Sequence, residues 1–496
     1  MVDIRAERIR SYQILQLHLQ LPTGIKIDAT SPLTLTRLTS TMRTDHFTYY
    51  NGFSPHRSHM NVSVRFLFLL MTGILSIPVL SGCGYHPVTG DYQVSLQDRE
   101  ELIERGRSVY PKYTQVSDGE LYDPELQRYV QTLGDQLAQV SHNPDLPFQF
   151  NVVNDSTPNA YTLPGGFISI TRGLMMELDS ESELAAVLGH EIAHAVAQHP
   201  SGAMEWGGIM DAIDPGLFSM IGVGDDDHTS YVGLSNLARQ GLLPSYSQYQ
   251  ETQADKLAMT YLARAGYDPN GLIELQSTLI QLREETPRSL EQLLATHPLT
   301  EERRKHAQSR ADDIRTSHDI STERQLRQFK QRVVDTWHPR YEAYRAFDRG
   351  VTLAREGDFP PAAEQFRTAM NRYEGEALFY AWLGIAELEQ ESVEKAKQSL
   401  ERARSIQPDV FRIQLYSARV FLQAGNHEQS FKHLDRAEKL LPGTPSVTFV
   451  RARNYDALSK HNKAAAAYRD YLNVTSAETY RKQYARSRLR AWGYMP

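Results

Sequence analysis

Apolar positions recur with different periods along the chain, and the changes of period divide it. Leu184, Leu188, Ile192 and Val196 fall on every fourth position, the spacing of one packed stripe on an α-helix. Ser180 and Glu183 stand three apart just ahead of it in the pattern of a capping box, so a helix is predicted to begin near Ser180. Helical patterns also cover residues 96–109 and 124–140. Residues 147–153 alternate like a strand, and a second strand over 167–170 is reached through the turn Pro164-Gly165-Gly166. Helices with a small sheet beside the central helix give an α+β fold class, mostly α.

Between residues 200 and 243 the period is lost, in a stretch carrying Met204, Met210, Met220 and the acidic run Asp225-Asp226-Asp227. A lid over a cleft and a surface insertion both fit such a connection. A polar helical stretch over 300–337 then leads to a repeating part. Gly350 and Gly384 stand 34 residues apart, and Ala369, Ala403 and Ala437 keep that step, as do Phe366, Leu400, Leu434 and Tyr468. This is the tetratricopeptide period, in which each helix pair buries its apolar face only against its neighbours, so the pairs stack into an α-solenoid. About four repeats are predicted over 341–477, with an arginine-rich capping helix over 480–492.

Residues 1–59 show no sustained period and read as a mis-start or a disordered leader. Met60 opens a clearer segment, in which Arg65 precedes an almost wholly apolar run over 66–80, the form of a secretory signal. Leu80-Ser81-Gly82-Cys83 closes it in a sequence that resembles a bacterial lipobox, whose cysteine is acylated. Cys83 is the single cysteine, so no intrachain disulfide forms. If Met1 is the true start, the apolar run becomes an internal anchor. The predicted organisation is a leader over 1–59, a lipoprotein signal peptide over 60–82, a tether over 83–95, a catalytic domain over 96–315, a helical linker over 316–340 and the repeats over 341–496. The formal net charge of -7 and pI near 6.2 give no nucleic-acid footprint.

The chemistry gathers on the central helix, where Gly189-His190-Glu191-Ile192-Ala193-His194 contains HExxH. Histidines four apart share a helical face and one metal ion, and Glu191, turned about 100° away, is left to work on water. Catalytic zinc takes three protein ligands and an open position, and two histidines with a glutamate are one such set. Downstream, Glu251 and Asp255 share a face of a second predicted helix that Gly266 stops. Glu251 is assigned to the metal, completing His190 and His194, and Asp255 to the catalytic set through the free ring N–H of a ligand histidine. His199, five beyond His194, is read as structural. His297 lies in a loop-like Ala295-Thr296-His297-Pro298 segment and reads either as a surface histidine or as a fourth, regulatory ligand.

Four ordered blocks, NAYTLPGGFISITRGLM from Asn159, AAVLGHEIAHAVAQH from Ala185, QETQADKLA from Gln250 and THPLTEERR from Thr296, resemble the HtpX-like and BepA-like gluzincin zinc metallopeptidases. The later repeats resemble the tetratricopeptide half of the β-barrel assembly-enhancing type. The resemblance implies a zincin-type domain followed by the solenoid, one Zn2+ per chain, and a peptidase degrading misfolded or stalled envelope proteins while assisting outer-membrane assembly. It also implies that a strand before the motif pairs with substrate, with Asn159, Ala160 and Phe167 as substrate-binding candidates. Expected partners are unfolded envelope proteins, outer-membrane β-barrels and the barrel assembly machinery. By the same reasoning Gly84 after Cys83 places a lipid-anchored protein at the outer membrane, facing the periplasm. The other reading is a non-proteolytic chaperone or assembly scaffold acting through its repeats.

Overall fold

The computed structural model describes residues 83–85, 88, 92–94, 99–199, 246–285, 290–315, 329, 333, 335–475 and 479–495. The predicted leader and signal segment over 1–82, the aperiodic connection over 200–243 and most of the linker before residue 335 lie outside them. Cys83–Tyr85 (β1) and Tyr92–Val94 (β2) pair as an antiparallel hairpin. The reading of 83–95 as a tether without a fold is corrected there. The backbone groups pair with one another, and Val88 between the strands packs on the main core.

Helices Arg99–Val116 (α1) and Pro124–Gln139 (α2) come next. Pro124 at the first turn and Asp123, whose carboxylate accepts from the Glu125 and Leu126 amides, fix the start of α2. Three strands follow, Gln149–Val153 (β3), Ala160–Leu163 (β4) and Phe167–Thr171 (β5), in the order β3-β5-β4, with β5 parallel to β3 and antiparallel to β4. Alternation predicts β3 and the Pro164-Gly165-Gly166 turn predicts β5, whereas the four-residue β4 carries neither signal.

After the short helix Arg172–Met175 (α3), Glu181–Val196 (α4) runs through the core. Its capping box is formed, the Glu183 amide donating to Ser180 Oγ at 3.1 Å and the Ser180 amide to Glu183 Oε2 at 2.9 Å. Gln248–Ala265 (α5) packs along α4, begins at a second capping box on Ser247 and ends at left-handed Gly266, φ 82°. Asn270–Glu285 (α6), Glu291–Thr296 (α7) and Glu301–Arg315 (α8) complete this half.

The repeats are antiparallel helix pairs: Tyr341–Arg355 (α9) with Phe359–Arg372 (α10), Ala377–Glu389 (α11) with Val393–Ile406 (α12), Phe411–Gln423 (α13) with His427–Leu440 (α14), and Pro445–Ala457 (α15) with His461–Val474 (α16). Tyr480–Ala491 (α17) covers the last pair. The 34-residue step has a packing cause. A Cβ on Gly350 would come within 2.6 Å of the Phe366 ring, and one on Gly384 within 2.8 Å of Leu400 Cγ, so in the first two pairs one helix keeps a bare backbone where its partner places a large side chain.

Charged contacts join the repeats to the first half. Arg172, 1% exposed, grips Asp348 through Nη2–Oδ1 at 2.9 Å and Nη1–Oδ2 at 3.2 Å. Asp123 accepts from Trp337 Nε1 at 3.1 Å and Arg340 Nη1 at 2.8 Å, and Arg412 Nε reaches Asp118 at 2.7 Å. One apolar core runs from Leu121 through α4 to Val420, so the halves share their interior.

Candidate metal centre

Two residues on α4 and one on α5 converge because these helices pack side by side. His190 and His194 bring their Nε2 atoms to 3.0 Å from each other. Glu251 places Oε1 3.2 Å from His194 Nε2 and Oε2 3.5 Å from His190 Nε2. His297, just past α7, sets Nδ1 3.0 Å from Glu251 Oε1. One donor atom from each of these four residues lies within 4.8 Å of the others. Glu251 and His194 are fully buried, and His190 is 7% exposed.

The surroundings set the protonation of each ring. His199 Nε2 is 2.8 Å from Gln253 Oε1, which can only accept, so His199 holds its proton there and turns the Nδ1 lone pair to His194 Nδ1 at 2.9 Å. His194 therefore carries its proton on Nδ1 and presents a lone pair at Nε2. Burial holds its pKa well below the usual value, keeping it neutral. His199 is structural, holding the His194 ring.

His190 is the opposite case. Burial disfavours its charge, but Glu251 and Asp255 outweigh burial and push its pKa up to about 10. Its Nδ1 lies 3.0 Å from Asp255 Oδ1. The two carboxylates thus favour a positive charge beside His194 Nε2 and Glu251. A metal ion there would meet two imidazole lone pairs and a carboxylate, a donor set that fits a catalytic divalent ion. Burial tends to raise the pKa of Glu251, yet His297 and His190 hold it well below the carboxylate range, keeping the ligand ionised.

Arg303 and Thr162 complete the centre without being readable in the sequence. Arg303 clamps Asp255 through Nε–Oδ2 and Nη2–Oδ1, both 2.8 Å, and approaches Glu251 Oε2 at 2.5 Å. It lowers the Asp255 pKa against the effect of burial. Thr162 on β4 donates to Glu191 Oε2 at 2.7 Å, aiming that carboxylate toward the histidines. The Tyr246 ring stacks on His194 at 3.7 Å. Arg303 sits in the THPLTEERR block, where only its charge was visible; Thr162 sits in a strand with no periodic signal.

Asn159 and Ala160 lie at the start of β4, an outer strand whose other edge pairs with no described strand. Phe167 does not share that place. It lies on β5, paired on both sides, and its 1% exposed ring packs 5.3 Å from that of Tyr110. Phe167 is therefore a core residue; Asn159 and Ala160 are buried as well, at 0% and 2% exposed, and β3 and β4 are the two outer strands of this sheet.

Two imidazoles and a carboxylate around one cation position, with a glutamate held beside them, define a metal-dependent hydrolase centre. Residues 124–311 match the model of peptidase family M48, and residues 347–410 and 383–445 match that of the tetratricopeptide repeat, so the chain carries a family M48 peptidase domain followed by tetratricopeptide repeats. Among similar proteins, the beta-barrel assembly-enhancing protease of Yersinia pestis is 32% identical over 218 residues, 42% of this chain and 43% of that protein. The protein of that name from Escherichia coli K12 is 26% identical over 340 residues, 63% of this chain and 68% of its own length. The mitochondrial metalloendopeptidase OMA1 of Schizosaccharomyces pombe is 26% identical over 230 residues, 46% of this chain and 63% of that protein. The chain thus spans less than half of the first relative's length and about two thirds of the second's.

Proposed function

We propose that the chain is a zinc-dependent endopeptidase of the bacterial cell envelope that degrades misfolded or stalled envelope proteins and assists outer-membrane protein assembly. The observation that carries this reading is the convergence of His190, His194 and Glu251 with Glu191 held ready by Thr162. Similarity to the beta-barrel assembly-enhancing proteases supports the barrel-assembly part.

Bound at His190, His194 and Glu251, zinc would polarise the scissile carbonyl and acidify water. Glu191 takes the proton of the attacking water and hands it to the leaving amine. Thr162 keeps one carboxylate oxygen of Glu191 engaged so that the other faces the reacting groups. Asp255, pinned by Arg303, holds the His190 ring in place. An extended substrate pairs along β4 beside Asn159 and Ala160, a mode that reads backbone and tolerates many sequences. His297, with Nδ1 3.0 Å from Glu251 Oε1, would supply a fourth donor to the ion and so would hold the enzyme latent until it withdrew.

No helix among the described residues is long and apolar enough to cross a membrane. The apolar run before Cys83 supports a cleaved signal and a lipid tether to the outer membrane, with the enzyme facing the periplasm. The repeats collect unfolded envelope proteins, β-barrel precursors or the barrel assembly machinery. A purely scaffolding role is disfavoured by the intact ligand set and the positioned Glu191. Cleavage of an unfolded outer-membrane protein by the full chain, with and without a zinc chelator, tests the reading. Loss of cleavage on chelation and its return with zinc are expected; cleavage indifferent to the chelator would overturn it.

A further inference from the structure

A cleft of about 630 Å³ opens among the repeats, and every residue lining it lies on α11, α13, α15 or α17. The first three are the leading helices of the last three pairs, which stacking brings onto one face of the array. Across this cleft four arginines, Arg419, Arg453, Arg481 and Arg488, meet a single carboxylate, Asp456. The chain as a whole has a formal net charge of -7, so the local excess of positive charge is not a product of its composition.

The acids at hand are already engaged. Asp456 accepts from Arg488 Nε at 2.8 Å, from Arg488 Nη2 at 2.7 Å and from the Tyr468 hydroxyl at 3.3 Å. Glu389, at the end of α11, takes Arg419 Nη2 at 2.9 Å. Arg453 differs from both. It is half-buried, its guanidinium lies over the Tyr484 ring at 4.7 Å, and among the described residues it has no carboxylate or hydrogen-bond partner. A ring face steadies the charge but leaves the N–H fork open, and that fork fits a carboxylate through two parallel bonds.

Aromatic surface adjoins the open fork. The Phe449 and Tyr484 rings stand 6.1 Å apart in the cleft, and the Arg481 guanidinium lies over Phe449 at 5.3 Å. Tyr480 at the start of α17 is 71% exposed, more than any other large apolar or aromatic side chain among the described residues. A ring left in water beside a basic cleft gives an apolar side chain of a ligand something to cover. A nucleic-acid backbone, with a charge on every residue, would meet Asp456 and Glu389 as well as the arginines. A peptide that spaces one carboxylate from one ring avoids that repulsion.

We propose that this cleft docks an internal segment of a partner protein in which an Asp or Glu stands beside an aromatic residue, the carboxylate on Arg453 and the ring against Tyr480. This names what the repeats collect and rests on that part of the functional reading, independently of the metal centre.

The test uses the full-length chain carrying Glu191→Gln, so that a bound peptide survives. A short fluorescent Gly/Ser peptide with Glu-Glu-Tyr at its centre and an amidated C-terminus is measured by anisotropy beside two variants, Gln-Gln-Tyr and Glu-Glu-Ala. The acidic aromatic peptide is expected to bind about tenfold or more tighter than the amide form, with a smaller loss for the alanine form. Adding Arg453→Gln should remove that preference. Arg451→Gln deletes the same charge from an arginine of α15 that pairs with Asp435 and does not line the cleft, and should leave binding unchanged. Equal binding of the acid and amide peptides to the unaltered repeats would overturn the proposal and needs no folded variant to read, as would equal losses in the Arg453 and Arg451 variants. An unfolded outer-membrane protein held equally well with and without Arg453→Gln would also overturn it, while leaving the repeats their collecting role at another surface.

Discussion

Every residue of α4 from Leu184 to His194 is buried, whereas α10, a repeat helix of similar length, buries only Ala362, Ala363, Phe366 and Ala369. The repeat helix keeps one stripe inside and leaves the rest to solvent, so its role is written in its period. The metal helix is enclosed on all sides, and its polar residues survive there only because each has a partner from another element. The repeats are consequently robust to change on their outer faces. The centre depends on contacts contributed by β4, α5 and α8.

The largest stability effect should come from breaking one such partnership. Arg303→Met leaves Asp255 and Glu251 as buried carboxylates without their clamp, and removing one partner of a buried ion pair costs about 3–5 kcal/mol. Thermal unfolding should show this in the first half, with zinc affinity falling about 10–100-fold. Unchanged zinc affinity would detach Arg303 from the site.

The contact between the two regions gives the next effect. Arg172→Met strips Asp348 of its bidentate partner, and a loss of about 3 kcal/mol is expected. Limited proteolysis should then release the repeats from the first half. If both still resist protease together, the shared apolar core alone holds them.

A pH titration separates the regions differently. His433 in α14 donates from Nδ1 to Gln414 Oε1 at 2.7 Å, and burial, aided by Arg404 and Arg436, pushes its pKa down to about 4. An unfolded histidine titrates near 6.5. Between those values the unfolded chain takes up a proton that the folded chain refuses, so stability is full above about pH 6.5 and declines as pH falls toward 4. With solvent screening allowed for, the loss is about 1–2 kcal/mol. Denaturant midpoints at pH 7 and pH 4.5 should show it, and His433→Gln should flatten that part of the profile.

Two glycine substitutions have opposite signs in the two regions. Gly350→Ala puts a methyl 2.6 Å from the Phe366 ring and should cost about 1–3 kcal/mol. Gly189→Ala, beside the first ligand histidine, meets nothing nearer than 3.7 Å and should gain up to about 1 kcal/mol of helix propensity. Two melting curves decide this, and a destabilised Gly189→Ala would mean that α4 and α5 leave no room for a methyl between them.

The same contrast explains what could be read from the amino acids alone. The repeats were visible because Gly350 answers Phe366 within one helix pair and Gly384 answers Leu400 in the next, so packing writes itself into spacing. His190 and His194 were visible because one helix turn joins them. Glu251 and Asp255 were found as a pair on one face, but their shared clamp Arg303 lies 48 residues beyond Asp255. Thr162, 29 residues before Glu191, left no signal, since its contact with Glu191 joins two elements far apart in the chain. For His199, spacing along a helix does not reveal that its ring turns back to His194. Phe167 was placed at a substrate edge because strand order cannot be seen in one strand.

The central claim is that His190, His194 and Glu251 hold one catalytic metal ion on which Glu191 acts. Zinc content and cleavage of an unfolded outer-membrane protein, measured on the full chain as wild type, Glu191→Gln and His194→Ala, test it together. The account predicts one zinc per chain with cleavage in the wild type, the same zinc with cleavage reduced at least about 100-fold in Glu191→Gln, and neither zinc nor cleavage in His194→Ala. Undiminished cleavage by Glu191→Gln, or full zinc in His194→Ala, would contradict it.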